Sequence, residues 1–233
     1  GRGEVNSLLT KAVAVVDWLL GVREASAADE DYTKMTKVDP TGKLTVTPSA
    51  ITFNQFNPTS TVAYAYKSYT PIQYAHEFEL MITSAQETTS PVMVWSALNN
   101  AGKSYTDTGV NGSGVGVRGK STSAGVKLEV SLGAINSVYD KLTGTYGPAV
   151  YAPKVIFVKN YDLNIRYYAR VVRGPRGMRL SLYSDAARTQ LIEKADSAFN
   201  VPTGKFLYGI NAAGKTGTDG ILTGEVAKLN LSA

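Results

Sequence analysis

From Lys43 to the end of the chain, apolar side chains recur at every second residue, and this alternation constrains the fold more than any other feature. Leu44 and Val46, Ile51 and Phe53, Val62 with Tyr64 and Tyr66, and Phe78 with Leu80 and Ile82 open the series. Val92 and Val94 beside Trp95, Val115 and Val117, Val126 with Leu128 and Val130, and Val155–Val158 continue it. Tyr167, Ala169, Val171 and then Met178, Leu180, Leu182 flank Gly174-Pro175-Arg176-Gly177, which predicts a hairpin. Phe206–Ile210 and Ile221–Leu231 close the chain. Turn signals such as Asn111-Gly112, Thr143-Gly144 and Asp219-Gly220 separate the strands. After Arg23 only Ala186–Leu191 carries a helical pattern. A parallel α/β fold needs helices between its strands, so the pattern predicts an all-β, two-sheet antiparallel β-sandwich.

A different period governs the start. Leu8, Leu9, Ala12, Val13, Val16, Leu19 and Leu20 recur at helical spacing between Asn6-Ser7 and Gly21, which predicts one N-terminal α-helix within residues 1–27. Asp17 interrupts its apolar core, which is too short to span a bilayer of about 20 apolar residues. Lys11, the run Ala12–Val22 and Ala25-Ser26-Ala27 also fit a secretory signal, but Asp17, Arg23 and Glu24 stand against it. The helix could also pack on its own domain. We expect instead an assembly arm, because a complete sandwich leaves the face of Leu8, Leu9, Val13, Val16, Leu19 and Leu20 free for a partner. Residues 28–42 read as a polar linker ending in Pro40-Thr41-Gly42, and residues 43–233 as the sandwich domain.

A chain of 233 residues can bury one large core of this kind. It contains no cysteine, which excludes disulfides and thiolate-bound metals. A net charge of +5 without a basic run interleaved with aromatics excludes an evident nucleic-acid surface. Tyrosine is over-used, at 14 against 6 phenylalanines, which suits half-wet strands.

Several motifs promise chemistry and lack its context. Gly209–Thr216 has the G-x-x-x-x-G-K-T spacing of a phosphate-binding loop, but Gly217-Thr218-Asp219-Gly220 cannot start the required helix. Gly114–Gly119 has G-x-G-x-x-G spacing with a Ser/Gly turn after it. His76 is the only histidine and alternates with apolar neighbours, so it reads as structural rather than as a triad member or zinc ligand. Asp107, Asn111, Asp185 and Asp219 are loop oxygens that calcium could use, though turn formation explains them better. Glu77 and Glu79 share one strand face. No metal site, cofactor or catalytic set is assigned. Tyr105, Tyr139, Tyr146 and Tyr151 lie in turn-rich segments, where stiff amphipathic rings serve glycans and protein partners equally well.

One stretch is more specific. The strand Tyr167-Tyr168-Ala169-Arg170-Val171-Val172-Arg173, the turn Ser184-Asp185-Ala186-Ala187-Arg188-Thr189 and the closing Gly220-Ile221 through Leu229-Asn230-Leu231 occur in a characteristic order. With Gly42–Thr47 and Ala63–Tyr66 upstream, this order resembles the concanavalin A-like (laminin-G-like) jelly-roll domains found in phage and environmental viral structural proteins. The resemblance covers residues 40–233 and departs from the usual spacing between Gly112 and Asn160. Glucanases of that class carry an E-x-D-x-(x)-E strand, which Glu77 and Glu79 do not match. The resemblance implies a non-enzymatic virion component (capsid, decoration or tail-associated), located in a virion or outside cells, with copies of itself or other virion proteins as partners. The alternative is a lectin-like module that binds glycans for adhesion.

Overall fold

The computed structural model describes residues 28–57, 62–85, 92–102, 113–122, 127–136, 139–140, 145–146, 150–158, 163–175, 177–197, 204–212 and 221–232, and between 113 and 158 it describes the backbone alone. The strands are β1 (Thr36–Val38), β2 (Leu44–Val46), β3 (Ala50–Phe56), β4 (Tyr64–Ser68), β5 (Tyr74–Ala85), β6 (Val92–Leu98), β7 (Ser113–Thr122) and β8 (Lys127–Asn136). There follow β9 (Tyr139–Asp140), β10 (Thr145–Tyr146), β11 (Val150–Val158), β12 (Arg166–Gly174), β13 (Gly177–Tyr183), β14 (Leu191–Ser197), β15 (Phe206–Ala212) and β16 (Leu222–Ser232). They form two seven-stranded antiparallel sheets. Sheet I runs β14-β13-β12-β5-β16-β3-β2, and sheet II runs β1-β4-β15-β6-β7-β8-β11. A short β9–β10 ribbon stands apart from both.

The expected all-β sandwich is what forms. Phe78, Leu80 and Ile82 of β5, Tyr167, Ala169 and Val171 of β12, and Leu180 and Leu182 of β13 point inward from sheet I. Val94, Trp95, Ala97, Leu207 and Ile210 meet them from sheet II. Each fully buried Phe or Leu contributes about 1.5–3 kcal/mol of hydrophobic stabilisation. The sheets approach closely at Gly209, where a Cβ would lie 2.7 Å from Ile51 Cδ1. The β12–β13 hairpin pairs Gly174 with Gly177, as its sequence predicts.

Two expectations are corrected. Residues 28–42 are not a linker. Tyr32 and Met35 are buried in the core, β1 pairs with β4, and Glu30 N–H donates to Leu229 O at 2.6 Å. The segment is polar because its apolar residues are few and widely spaced, yet a single tyrosine at 1 % exposure anchors it. The Pro40-Thr41-Gly42 turn is closed by Asp39, whose carboxylate accepts the Lys43 and Leu44 N–H groups at 2.8 and 2.9 Å. Burial raises that carboxyl's pKa, but the two N–H groups and Lys37 outweigh it and hold the pKa below the usual value. Nor is Ala186–Leu191 helical. Asp185 accepts hydrogen bonds from Thr189 and Gln190, which makes a tight turn, and Leu191 already begins β14. The N-terminal helix, with Leu8, Leu9, Val13, Val16, Leu19 and Leu20, lies outside the described residues.

Candidate functional site

The two outer faces of the sandwich differ in kind. On sheet II, the residues pointing away from the core form a second cluster: Tyr64, Tyr208, Met93 and Leu98, with Val38, Tyr66 and Phe206 packed against them. Register explains the grouping. Tyr66 of β4 pairs with Tyr208 of β15, and Tyr208 pairs with Ser96 of β6. The Tyr66 and Tyr208 rings stack at 5.3 Å and 21°, Tyr64 leans on both at about 6 Å, and Phe206 meets Tyr66 edge-on at 6.3 Å. Such aromatic pairs add about 0.5–1.5 kcal/mol beyond the area they bury.

Beside the rings, glycines stand in the neighbouring strands. Ser96 pairs with Gly116 of β7, Leu98 with Gly114, and Gly116 with Gly133 of β8. Three glycines therefore occupy the register rows that carry the aromatic wall, leaving a floor of backbone. Glycine in a strand often marks a place where something approaches the backbone closely.

This outward face is nevertheless covered at its centre. Tyr208, Ser96, Met93, Leu98 and Asn211 have no solvent exposure. The segment after β6 folds back over them. Tyr64 Oη donates to Gly102 O at 2.9 Å, and Tyr208 Oη donates to Asn100 O at 2.7 Å. Gly102 takes left-handed geometry at φ +60°, and a Cβ there would sit 3.4 Å from Tyr66 Oη. Tyr66, Phe206 and Val38 at the margin stay partly open.

Sheet I presents charge instead. Arg166 bridges Glu79 and Glu225 at 2.8 Å each, Lys228 reaches Glu79 at 3.2 Å, and Arg188 and Arg170 flank Glu77 at 3.4 and 3.7 Å. Arg188 also lies over the Tyr168 ring at 5.9 Å, and Arg179 holds Asp196 with two hydrogen bonds. Glu77 and Glu79 are thus engaged by cations.

His76 lies between the sheets. Trp95 Nε1–H donates to its Nδ1 at 3.1 Å, so Nε2 carries the proton and faces Tyr69 Oη at 2.6 Å. Tyr74 stacks on the imidazole at 4.2 Å. Burial, helped by Lys67, pushes the imidazole down to about 3, and burial pushes the Tyr69 phenol up to about 12. A neutral, enclosed histidine that ties Trp95 of sheet II to sheet I is a structural group.

The other sequence candidates scatter. Tyr105 lies outside the described residues. Tyr139 and Tyr146 pair across the β9–β10 ribbon. Tyr151 of β11 pairs with Ile135, in the register row that runs through Gly114 and Leu98 to Phe206. Gly209–Ala212 of the phosphate-loop pattern lie within β15, and residues 213–216 lie outside the described residues. Asp185 spends its oxygens on its own turn, Asp107, Asn111 and Asp219 lie outside the described residues, and no cluster of metal-binding side chains occurs among the described residues. Among the described residues, too, no helix is long and apolar enough to cross a membrane. Sequence reasoning missed the cluster of Tyr64, Tyr66, Phe206 and Tyr208, although one signal marked it. The run Val92–Leu98 is apolar at every position but Ser96, as in a strand covered on both sides.

No family model and no curated protein matches the sequence. Solved structures do match in fold. The chain is similar to a functionally unknown protein from Saccharomyces cerevisiae (TM-score 0.55, 12 % identity, 87 % of this chain and 98 % of that one). It is similar as well to the exoplasmic/lumenal domain of VIP36 in its Ca2+/Man3GlcNAc-bound form (TM-score 0.51, 9 % identity, 91 % and 92 %). The metal-free form of that domain gives the same score and identity over 91 % and 98 %. The fold is therefore that of the concanavalin A-like sandwiches, the class to which lectin domains of this type belong. At these identities the likeness concerns the fold alone.

Proposed function

We propose that the chain is a non-catalytic carbohydrate-binding module whose ligand rests on the outer face of sheet II. The observation that carries this reading is the aromatic cluster on the outside of the sandwich, beside the Gly114, Gly116 and Gly133 backbone floor. A pyranose has an apolar C–H face and a rim of hydroxyls. The partly open rings of Tyr66 and Phe206 suit the first, and the glycine rows beside them let a ring approach the sheet closely. The lectin fold supports the same reading, since the VIP36 domain of that fold is described as binding a mannose-containing glycan.

The test is a glycan array, run with calcium and with a chelator, on the natural chain and on Tyr66→Ala, Phe206→Ala and Arg179→Ala. Saturable binding should fall at least tenfold in the first two variants and persist in the third, with the far-ultraviolet spectrum of each unchanged. A silent array in both buffers, or a hit indifferent to Tyr66 and Phe206, would overturn the reading.

A further inference from the structure

At one end of the outer face of sheet I the charges give way to an apolar pair. The register there runs Ser232, Ala75, Val172, Arg179, Asp196 across five strands. Tyr74 and Phe78 of β5 and Val171 of β12 point into the core, so Ala75 and Val172 point outward. Both are nevertheless buried, at 0 % and 2 % exposure, and they form a cluster of their own, apart from the core. Ser181, outward in the next row, is buried as well. Side chains stand roughly perpendicular to a sheet, and alanine has no stem with which to shield itself. A cover therefore lies over it. Arg179 reaches Asp196 on the side away from Ala75, and Arg170 reaches Glu77 in the next row.

The chain itself arrives at this spot. Asp29 bridges Asn230 of β16 in antiparallel sense, and Glu30 N–H donates to Leu229 O. Asn230 pairs with β5 on its other side, so Asp29 stands two strand spacings from β5, about 10 Å. Antiparallel to β16, the chain before Asp29 is directed toward Ser232, the partner of Ala75. Twenty-seven residues at a helical rise of about 1.5 Å each reach about 40 Å, ample to return across β16 and β5 to Val172. Leu9, Val13, Val16 and Leu20 of that stretch recur at the spacing of one helix face. Residues 198–203, which also leave sheet I at this end, have to carry the chain from β14 to β15 of the other sheet.

We infer that the apolar face of residues 1–27 docks on its own domain, over Ala75 and Val172 on the outer face of sheet I. The face that the sequence offers to an assembly partner is then spent within the chain. Docked there, the segment lies on the sheet opposite the proposed glycan face and leaves that face open.

Because the chain has no cysteine, single thiols report on the contact from both sides. In the full chain, Val172→Cys should react slowly with a small neutral methanethiosulfonate, and at least tenfold faster once Leu9, Val13 and Val16 are all changed to Ser. The reciprocal experiment leaves that face otherwise intact: Val16→Cys should react at least tenfold faster when Val172→Arg places a charge on the patch. Ala169→Cys, inward on the same strand as Val172, reports opening of the whole sandwich and should keep its rate in either background. An unchanged rate at Val172→Cys or at Val16→Cys would overturn the docking, as would an equal rise at Ala169→Cys. All rates should be independent of protein concentration. Protection of Val172→Cys that fades on dilution would place the segment of a second copy on the patch, and would equally overturn docking within the chain.

Discussion

The same sandwich carries two outer faces that solve the same problem differently. Sheet I keeps water on its outside and fills that face with charges answered by opposite charges nearby: Arg166 with Glu79 and Glu225, Arg188 and Arg170 with Glu77. Sheet II fills the equivalent positions with Tyr64, Tyr66, Phe206 and Tyr208 and covers their centre with Asn99–Gly102. Exposed ion pairs are individually weak and tolerate solvent. Aromatic rings on an outside face need a cover or a ligand. The difference teaches that the two faces are stabilised by different means, ion pairs on sheet I and a second apolar cluster on sheet II, and the proposed ligand site draws on the second.

The comparison can be broken by substitution, and the largest effect should come from the aromatic side. Tyr208→Ala removes a fully buried ring and its hydrogen bond to Asn100 O, and should cost about 3–5 kcal/mol in urea unfolding. A loss below about 1 kcal/mol would mean that the outer cluster is not packed as a second core. On sheet I the deepest charge should matter next. Glu79→Gln weakens contacts to Arg166 and Lys228 while Glu225 still holds Arg166, so a cost of about 1.5–3 kcal/mol is expected from the same measurement.

Between the two faces, His76 should make stability depend on pH. Its folded value is about 3 against an ordinary 6.5, so the unfolded chain binds the proton more readily. Stability from this group is therefore complete above about pH 6.5 and falls as pH drops toward 3, by at most about 1.4 kcal/mol per pH unit. Urea midpoints followed by far-ultraviolet circular dichroism from pH 7 to 4 should decline, and His76→Gln should flatten that decline. The smallest effect belongs to the rim of the charged face. Asp196→Ala breaks the half-exposed Arg179 pair and should cost less than about 1 kcal/mol, a difference that 1 M salt should erase.

Much of the fold was legible because a strand with one wet face must alternate. Phe78, Leu80 and Ile82 of β5, and Tyr167, Ala169 and Val171 of β12, all point inward as their period implies. The site was not legible, and for the same reason. Alternation in Tyr64-Ala65-Tyr66 is identical whether the tyrosines or the alanines face the core; here Ala65 takes the core and the rings go outside. Only the non-alternating Val92–Leu98 hinted at a strand covered on both sides. Tyr32 was invisible as a core residue because a short 3-10 turn, capped by Asp31, places one ring without any repeating pattern. The loop tyrosines were chosen for exposure, whereas the structure gathers its rings on strands. Only Tyr151 falls in a register row of that face.

The central claim is that ligand binds the outer face of sheet II and not that of sheet I. The most direct measurement is hydroxyl-radical footprinting of the full chain with and without a glycan identified on the array. The account predicts protection of Tyr66 and Phe206 with unchanged labelling of Tyr168. Protection of Tyr168 with Tyr66 and Phe206 unaffected would contradict it.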